Sequence, residues 1–296
     1  MPANRPTTNP SPNNGLHADH HGAGGMDIWD GFDPLIAATA PNSDNFYESG
    51  AEFATGVGAG AVLTQVLYLT EAGDTSAINI NDIHQGQIGD CFLLAAMGEM
   101  ALYHPTAISN MIHYNPNGTE TVALYTDLNG QPPQFASYSF KATAQTVTNA
   151  FSASSVNNGA TQDVVGSQKE IWAQVVEKAY AQANGGYAGI QNGGSPFLAM
   201  EQLTGKAAQW MPGSFLSLNA LTQHAAAGDL IVMDTYSAGT LPFGLVGNHA
   251  YMFEGVKSVS GTAYVQLGNP WGCAQPSLIP FAQLSRGIVE VDFGHV

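Results

Sequence analysis

Cationic side chains are scarce in this 296-residue chain: seven Lys and Arg stand against 23 Asp and Glu, for a formal net charge of −16. That shortage excludes a nucleic-acid or anionic-membrane surface, since both partners are held by clustered Lys and Arg. Charge of either sign is thin, at 10% of residues against roughly 25% in ordinary soluble proteins. Cysteine is nearly missing too. Cys91 and Cys273 exclude a disulfide-rich scaffold and leave open one bridge or two free thiols. No hydrophobic run follows Met1, and the polar, Pro-rich opening MPANRPTTNPSPNNG reads as no signal peptide. The most membrane-like stretch, 54–69, is broken by Gly56, Gly58, Gly60, Thr64 and Gln65. It falls short of the ~20 apolar residues of a membrane span, so none is expected. A cytoplasmic protein, or one exported by a signal-independent route, remains. What is present is a 44% apolar composition, enough for a full core. The length suits two domains of ~100–150 residues or one larger one.

Residues 1–25, rich in Asn, Pro, Gly and His, read as a disordered arm. His17, Asp19, His20 and His21 within it could chelate a divalent metal, or simply belong to a flexible tail. Residues 26–75 regain aromatics and read as a lead-in of unknown role. From there the signals sharpen. Asp90 is placed to cap a helix running from Cys91 to Leu102, apolar nearly all round and therefore buried. A second helix is predicted from about Ser167 to Ala183, with Ile171, Trp172, Val175, Val176 and Ala179 on one face and Asn184-Gly185-Gly186 as its stop. Strands are predicted at Thr121–Tyr125, Leu230–Asp234, His249–Gly255, Ala263–Leu267 and Gly287–Phe293. Helical signals dominate before about residue 210 and strands after it. The fold class is therefore α+β in two lobes, 76–210 and 211–296.

Cys91 is the natural candidate nucleophile. At a helix start, the partial positive charge and unpaired N–H groups favour thiolate over thiol. A cysteine nucleophile also needs an imidazole. Alone, Cys91 reads better as an ordinary buried apolar cysteine. Its surroundings change the balance: in Gln85-Gly86-Gln87-Ile88-Gly89-Asp90-Cys91, two glycines permit a tight turn that brings Gln85 beside the sulfur. The Gln85 amide and the Cys91 N–H could then stabilise a tetrahedral oxyanion, at ~3–4 kcal/mol each.

This segment, continuing into Phe92-Leu93-Leu94, resembles the site of the calpain family of papain-like cysteine proteases, with Phe92 in place of the usual Trp. The resemblance extends to Gly247-Asn248-His249-Ala250-Tyr251, where Asn248 replaces a Gly, and to Gly268-Asn269-Pro270-Trp271-Gly272, where Gly268 replaces an Arg. Trp172, Glu177-Lys178-Ala179-Tyr180-Ala181 and Leu203-Thr204-Gly205 match as well, so the likeness covers roughly residues 75–296. It implies a papain-like two-lobed fold, with a helical first lobe carrying Gln85 and Cys91 and an antiparallel-sheet second lobe carrying His249 and Asn269. It implies an endopeptidase acting on protein or peptide substrates. Cys91 would attack, His249 would carry the proton, Asn269 would orient the imidazole, Gln85 would line the oxyanion hole and Trp271 would shield the triad. His84, His104, His113, His224 and His295 lie outside these motifs, and Cys273 reads as a plain apolar cysteine or a redox-sensitive one near the site.

The resemblance also raises calcium, which activates many members through sites in the protease lobes. Asp82 matches one acidic ligand position, but Ala188 stands where a Glu is expected, and Cys273-Ala274-Gln275-Pro276 replaces the acidic positions after the Asn-Pro-Trp-Gly motif. Calcium therefore has few of its oxygen ligands, and no cofactor is expected to be required. Two other functions stay open: an amidase or acyltransferase on the same triad, since fold does not fix substrate, and a catalytically silent binding module.

Overall fold

The computed structural model describes residues 63–71, 74, 76–127, 139–157, 164–237 and 240–296. The arm at 1–25, with its histidines, lies outside them, as does most of the lead-in.

Among the described residues the chain opens with β1 (Thr64–Val66), followed by α1 (Cys91–Tyr103), α2 (Pro105–Met111), β2 (Ile112–Tyr114), β3 (Thr119–Asp127) and β4 (Phe140–Thr148). Then come β5 (Val164–Val165), β6 (Gln168–Glu170), α3 (Trp172–Ala183), α4 (Tyr187–Ile190) and α5 (Pro196–Thr204). The remainder is β7 (Gln209–Pro212), α6 (Leu218–Ala227), β8 (Leu230–Thr235), β9 (Ala250–Val259), β10 (Thr262–Gly268), β11 (Ile279–Pro280) and β12 (Ile288–Gly294). The architecture is α+β. A six-stranded antiparallel sheet, ordered β11-β10-β9-β8-β12-β7, is built from the C-terminal half, with β7 entering from residues 209–212.

The predicted strands of that sheet fall within a residue or two of where they stand, apart from β9, which runs on to Val259. Two things differ in the first half. It also holds sheets β2-β3-β4 and β1-β6-β5, of which only β3 was predicted. And α3 starts at Trp172, because Gln168–Glu170 is drawn into parallel pairing with Thr64–Val66, a partner some hundred residues away that no local pattern announces.

Alternation along β8 and β9 sorts the apolar residues onto two faces. Leu230, Val232, Ala250 and Met252 join the core made by α1, α3 and α5, while Ile231, Met233, Tyr251, Phe253, Val291 and Phe293 form a second core on the other side. α1 is buried from Cys91 to Ala101 and lies against the inner face of the sheet. A Cβ on Gly98 would meet the Met252 sulfur at 2.0 Å, so glycine permits this close approach of helix and strand. No helix among the described residues is long and apolar enough to cross a membrane.

Candidate active site

Cys91 is the first residue of α1 and is 6% exposed. Its sulfur lies beside the backbone N–H of Ala250, at the start of β9. Both cysteines are free thiols. Burial pushes the Cys91 thiol up to about 12, with Asp234 and Asp90 adding to the rise and the Ala250 and Phe92 N–H groups opposing it. The sequence expectation of a resting thiolate is therefore not met. The helix-terminus field is worth ~0.3–1 kcal/mol and acts against full desolvation.

His249 precedes β9 and is 2% exposed. Its backbone is pinned to Thr235: its N–H donates to Thr235 Oγ1 at 3.0 Å, and its carbonyl accepts from the Thr235 N–H at 3.0 Å. Asn248 before it has φ of +52°, a conformation that Gly or Asn adopts with least strain. That accounts for an Asn at a position where the resembled family has Gly. Burial lowers the imidazole to about 4.

Asn269 fixes the ring chemistry. Its Oδ1 accepts from the Trp271 backbone N–H at 3.0 Å, and its Nδ2 donates to Ala274 O at 3.2 Å. A backbone N–H can only donate, so this atom is the oxygen. His249 Nε2, 2.8 Å from the same oxygen, must therefore carry the proton. In the neutral ring, Nδ1 is left as the base, and it is buried without a hydrogen-bond partner. The Trp271 ring lies 4.8 Å from the imidazole, tilted by 46°, and Tyr251 meets it edge-on at 4.9 Å.

Gln85 is 2% exposed, and its N–H donates to Pro270 O at 2.8 Å, tying its segment to the Asn269 loop. Its side-chain Nε2 donates to Ile88 O at 2.6 Å and lies 3.5 Å from Asp90 Oδ1. Both amide protons thus have partners in the resting site, the one on Asp90 through a long bond. Neither Gly86 nor Gly89 has a positive φ. Gly86 is needed because a Cβ there would meet Ser155 O at 2.2 Å, and Gly89 bonds through its backbone to Gln191 and Gly193.

Asp90 departs from its expected role. Its backbone carbonyl accepts from Leu93 and Leu94, but its side chain makes no cap bond. It faces Glu177 on α3 instead, and the two buried carboxyls hydrogen-bond to each other. Burial pushes Asp90 up to about 7 and Glu177 well above the usual carboxylate range. Val156 N–H and Tyr187 OH donate to the Glu177 oxygens. The sequence motif containing Glu177 signalled this residue without revealing its partner. A second set, Asp234, Glu290 and Asp292, was missed. These carboxyls are buried together on β8 and β12, and burial raises all three.

The other singled-out residues stand apart. His104 donates to Gly228 O at 2.6 Å, and His224 and His295 both bond Asp229. His113 is exposed, His84 is half-buried beside Gly272, and Cys273 is half-buried.

At the positions that the resemblance suggests for calcium, several oxygens already accept hydrogen bonds within the chain. Asp82 Oδ2 already accepts from Asn79 N–H at 2.8 Å and Trp172 Nε1 at 2.9 Å. Glu71 and Glu170 lie near it, but Glu170 accepts from Leu69 N–H. In the second position, Gln275 Oε1 accepts from Asn269 N–H at 2.7 Å and Ala274 O from Asn269 Nδ2. Glu71, Asp82 and Glu170 bring carboxylate oxygens within 4.8 Å of one another at the first position, whereas the second offers neutral oxygens that hold the loop.

A cysteine at a helix start, a histidine at a strand start and an asparagine orienting its ring are the parts of a papain-like cysteine protease. Comparison with known proteins agrees. Residues 74–276 match the calpain family cysteine proteases, and the chain belongs to that family. It is 30% identical over 209 residues to Calpain-9 of Homo sapiens, covering 64% of this chain and 28% of that protein. It is 28% identical over 205 residues to the Calpain-1 catalytic subunit of Mus musculus, covering 64% of this chain and 27% of that one. With the calpain-type cysteine protease DEK1 of Zea mays it shares 27% identity over 67% of this chain but 9% of the relative. The chain thus spans less than a third of the length of these relatives.

Proposed function

We propose that this chain hydrolyses peptide bonds in protein substrates, with Cys91 as nucleophile, His249 as base and then acid, and Asn269 as the group that orients the ring. The observation that carries this reading is the bridging oxygen of Asn269. By accepting from both Trp271 N–H and His249 Nε2, it leaves Nδ1 as the unprotonated nitrogen. Because burial holds the resting thiol and imidazole neutral, the proton leaves sulfur as the sulfur attacks.

The Cys91 Sγ–carbon bond forms while Nδ1 takes the thiol proton. The imidazolium then gives that proton to the leaving amine as the C–N bond breaks, and water releases the acyl group by the reverse exchange. Asn269 bears no charge and does not trap the imidazolium. The Gln85 amide proton now on Asp90 would turn from that long bond to the oxyanion, beside the Cys91 N–H. Trp271 keeps water from the His249–Asn269 bond. The work is divided between lobes 76–210 and 211–296, and no calcium step enters.

Replacing Cys91 by Ala tests this directly. Hydrolysis of an unfolded protein is expected to fall to background while the melting temperature holds, and activity retained in that variant refutes the mechanism. If wild type cleaves amide esters but no peptide in a library, the triad serves an amidase or acyltransferase instead.

A further inference from the structure

Glu99 sits mid-helix on α1, fully buried, and no part of the proposed reaction uses it. Its Oε2 accepts from Ile231 N–H at 3.0 Å and its Oε1 from Phe253 N–H at 2.6 Å. Those two amides belong to different strands, and their placement is informative. β8 and β9 pair as Asp234 with Ala250, Met233 with Tyr251 and Val232 with Met252. Beyond that ladder, Thr235 and His249 are bonded through Thr235 N–H and His249 O. Antiparallel pairs alternate between bonded and non-bonded, so Ile231 opposite Phe253 would be the next bonded pair in the other direction. Both of their inward N–H groups bind the Glu99 carboxylate instead. The side chain is a wedge set between two strands of the sheet.

The wedge has a register. Glu99 lies eight residues from Cys91, about 12 Å along a helix. Phe253 lies three residues from Ala250, about 10 Å along a strand. α1 is thus held to β9 at two points of matched spacing: the Cys91 sulfur beside Ala250 N–H, and Glu99 on Phe253 N–H. Gln85 N–H on Pro270 O and His104 on Gly228 O tie the two ends of the same segment across the molecule.

We propose that Glu99 is a positioning residue that fixes Cys91 against His249, and that this internal clamp holds the two lobes in register without calcium. The proposal rests on the protease reading, and its test is chosen to separate the two. Full-length wild type and Glu99→Gln are compared in chelator and in calcium. The substitution keeps size but turns an amide N–H toward one of the two backbone donors. Three quantities are read: kcat and KM on an unfolded protein, the rate of Cys91 alkylation by iodoacetamide, and hydrogen exchange at Ile231 and Phe253.

Wild type should give the same values in chelator and calcium. Glu99→Gln should lose about 10²-fold in kcat, the cost of a small misplacement of reacting groups, with KM nearly unchanged. Its Cys91 alkylation should slow in parallel, its two amides should exchange faster, and calcium should restore none of this. Wild-type alkylation that rises with calcium, or a variant matching wild type in kcat and alkylation, overturns the proposal. Should Glu99→Gln not fold, Glu99→Asp, which keeps the charge on a shorter arm, takes its place with the same readouts. Alkylation and exchange need no turnover. A wild type that cleaves nothing while Glu99→Gln still slows alkylation refutes the protease reading alone, and active wild type with unaltered alkylation in the variant refutes the Glu99 role alone.

Discussion

The two faces of the six-stranded sheet are built to different rules. The outer face is mainly apolar, with Ile231, Met233, Tyr251, Phe253, Val291 and Phe293 packed together. The inner face alternates apolar residues that meet α1 and α5 with buried acids: Asp234, Glu290 and Asp292 on the strands, and Glu99 reaching in from the helix. Burying a polar group costs free energy unless it is hydrogen-bonded, and burying a charge costs more. The inner face therefore gives up stability that the outer face supplies, and it does so beside Cys91. Asp234 is paired across the ladder with Ala250, whose N–H lies next to the sulfur.

The comparison can be broken first on the outer face. Phe293→Ala should cost about 3–5 kcal/mol in denaturant unfolding, the usual loss for a fully buried aromatic. A loss under about 1 kcal/mol would mean the outer core does not carry the sheet.

The inner face should show itself in pH dependence. Glu290 is raised from 4.5 to about 8 and Asp90 from 3.8 to about 7, while Asp234, Asp292, Glu99 and Glu177 are also raised. A carboxyl raised on folding binds its proton more tightly when folded. Its stabilisation is complete below its unfolded value and is lost as pH rises through the folded one. His249 and His84, lowered to about 4, act oppositely, losing stability as pH falls from 6.5 toward 4. The acids outnumber them. The melting temperature should therefore fall steadily as pH rises from 5 through 8 (the window set by these groups). A flat or rising melting curve across that window contradicts the account.

Asp292→Asn is a finer cut. It removes one ionising group from the buried trio and should flatten that slope while leaving stability at pH 5 little changed, as read by melting scans at both ends of the window. The smallest effect is expected at Cys273, half-buried and beyond the sheet. Cys273→Ser should shift stability by under about 0.5 kcal/mol and leave hydrolysis intact.

What the sequence made legible follows from how local each signal is. The helix beginning at Cys91 and the strands around Val232, Met252 and Val291 carry runs of buried apolar residues that any short window detects. The motif residues Gln85, Cys91, His249, Asn269 and Trp271 were named from their immediate neighbours. The partners of polar groups were not legible, because they come from far along the chain. Asp90 read as a helix cap until Glu177, on another helix, took its carboxyl. Glu99 sat unremarked in an apolar helix because its two donors lie 132 and 154 residues away. The raised thiol of Cys91 had the same origin, since desolvation depends on everything packed around the sulfur and the helix start on one residue only.

The central claim is that His249 Nδ1 activates the Cys91 sulfur. The rate at which iodoacetamide modifies Cys91 at neutral pH, followed by mass spectrometry in wild type and in His249→Ala, tests it most directly. With a positioned base contributing ~10²–10⁴-fold, wild type should be modified at Cys91 ahead of Cys273, and the variant should lose at least ~10-fold in the Cys91 rate. Equal Cys91 rates in the two proteins, or Cys273 reacting first in wild type, would contradict it.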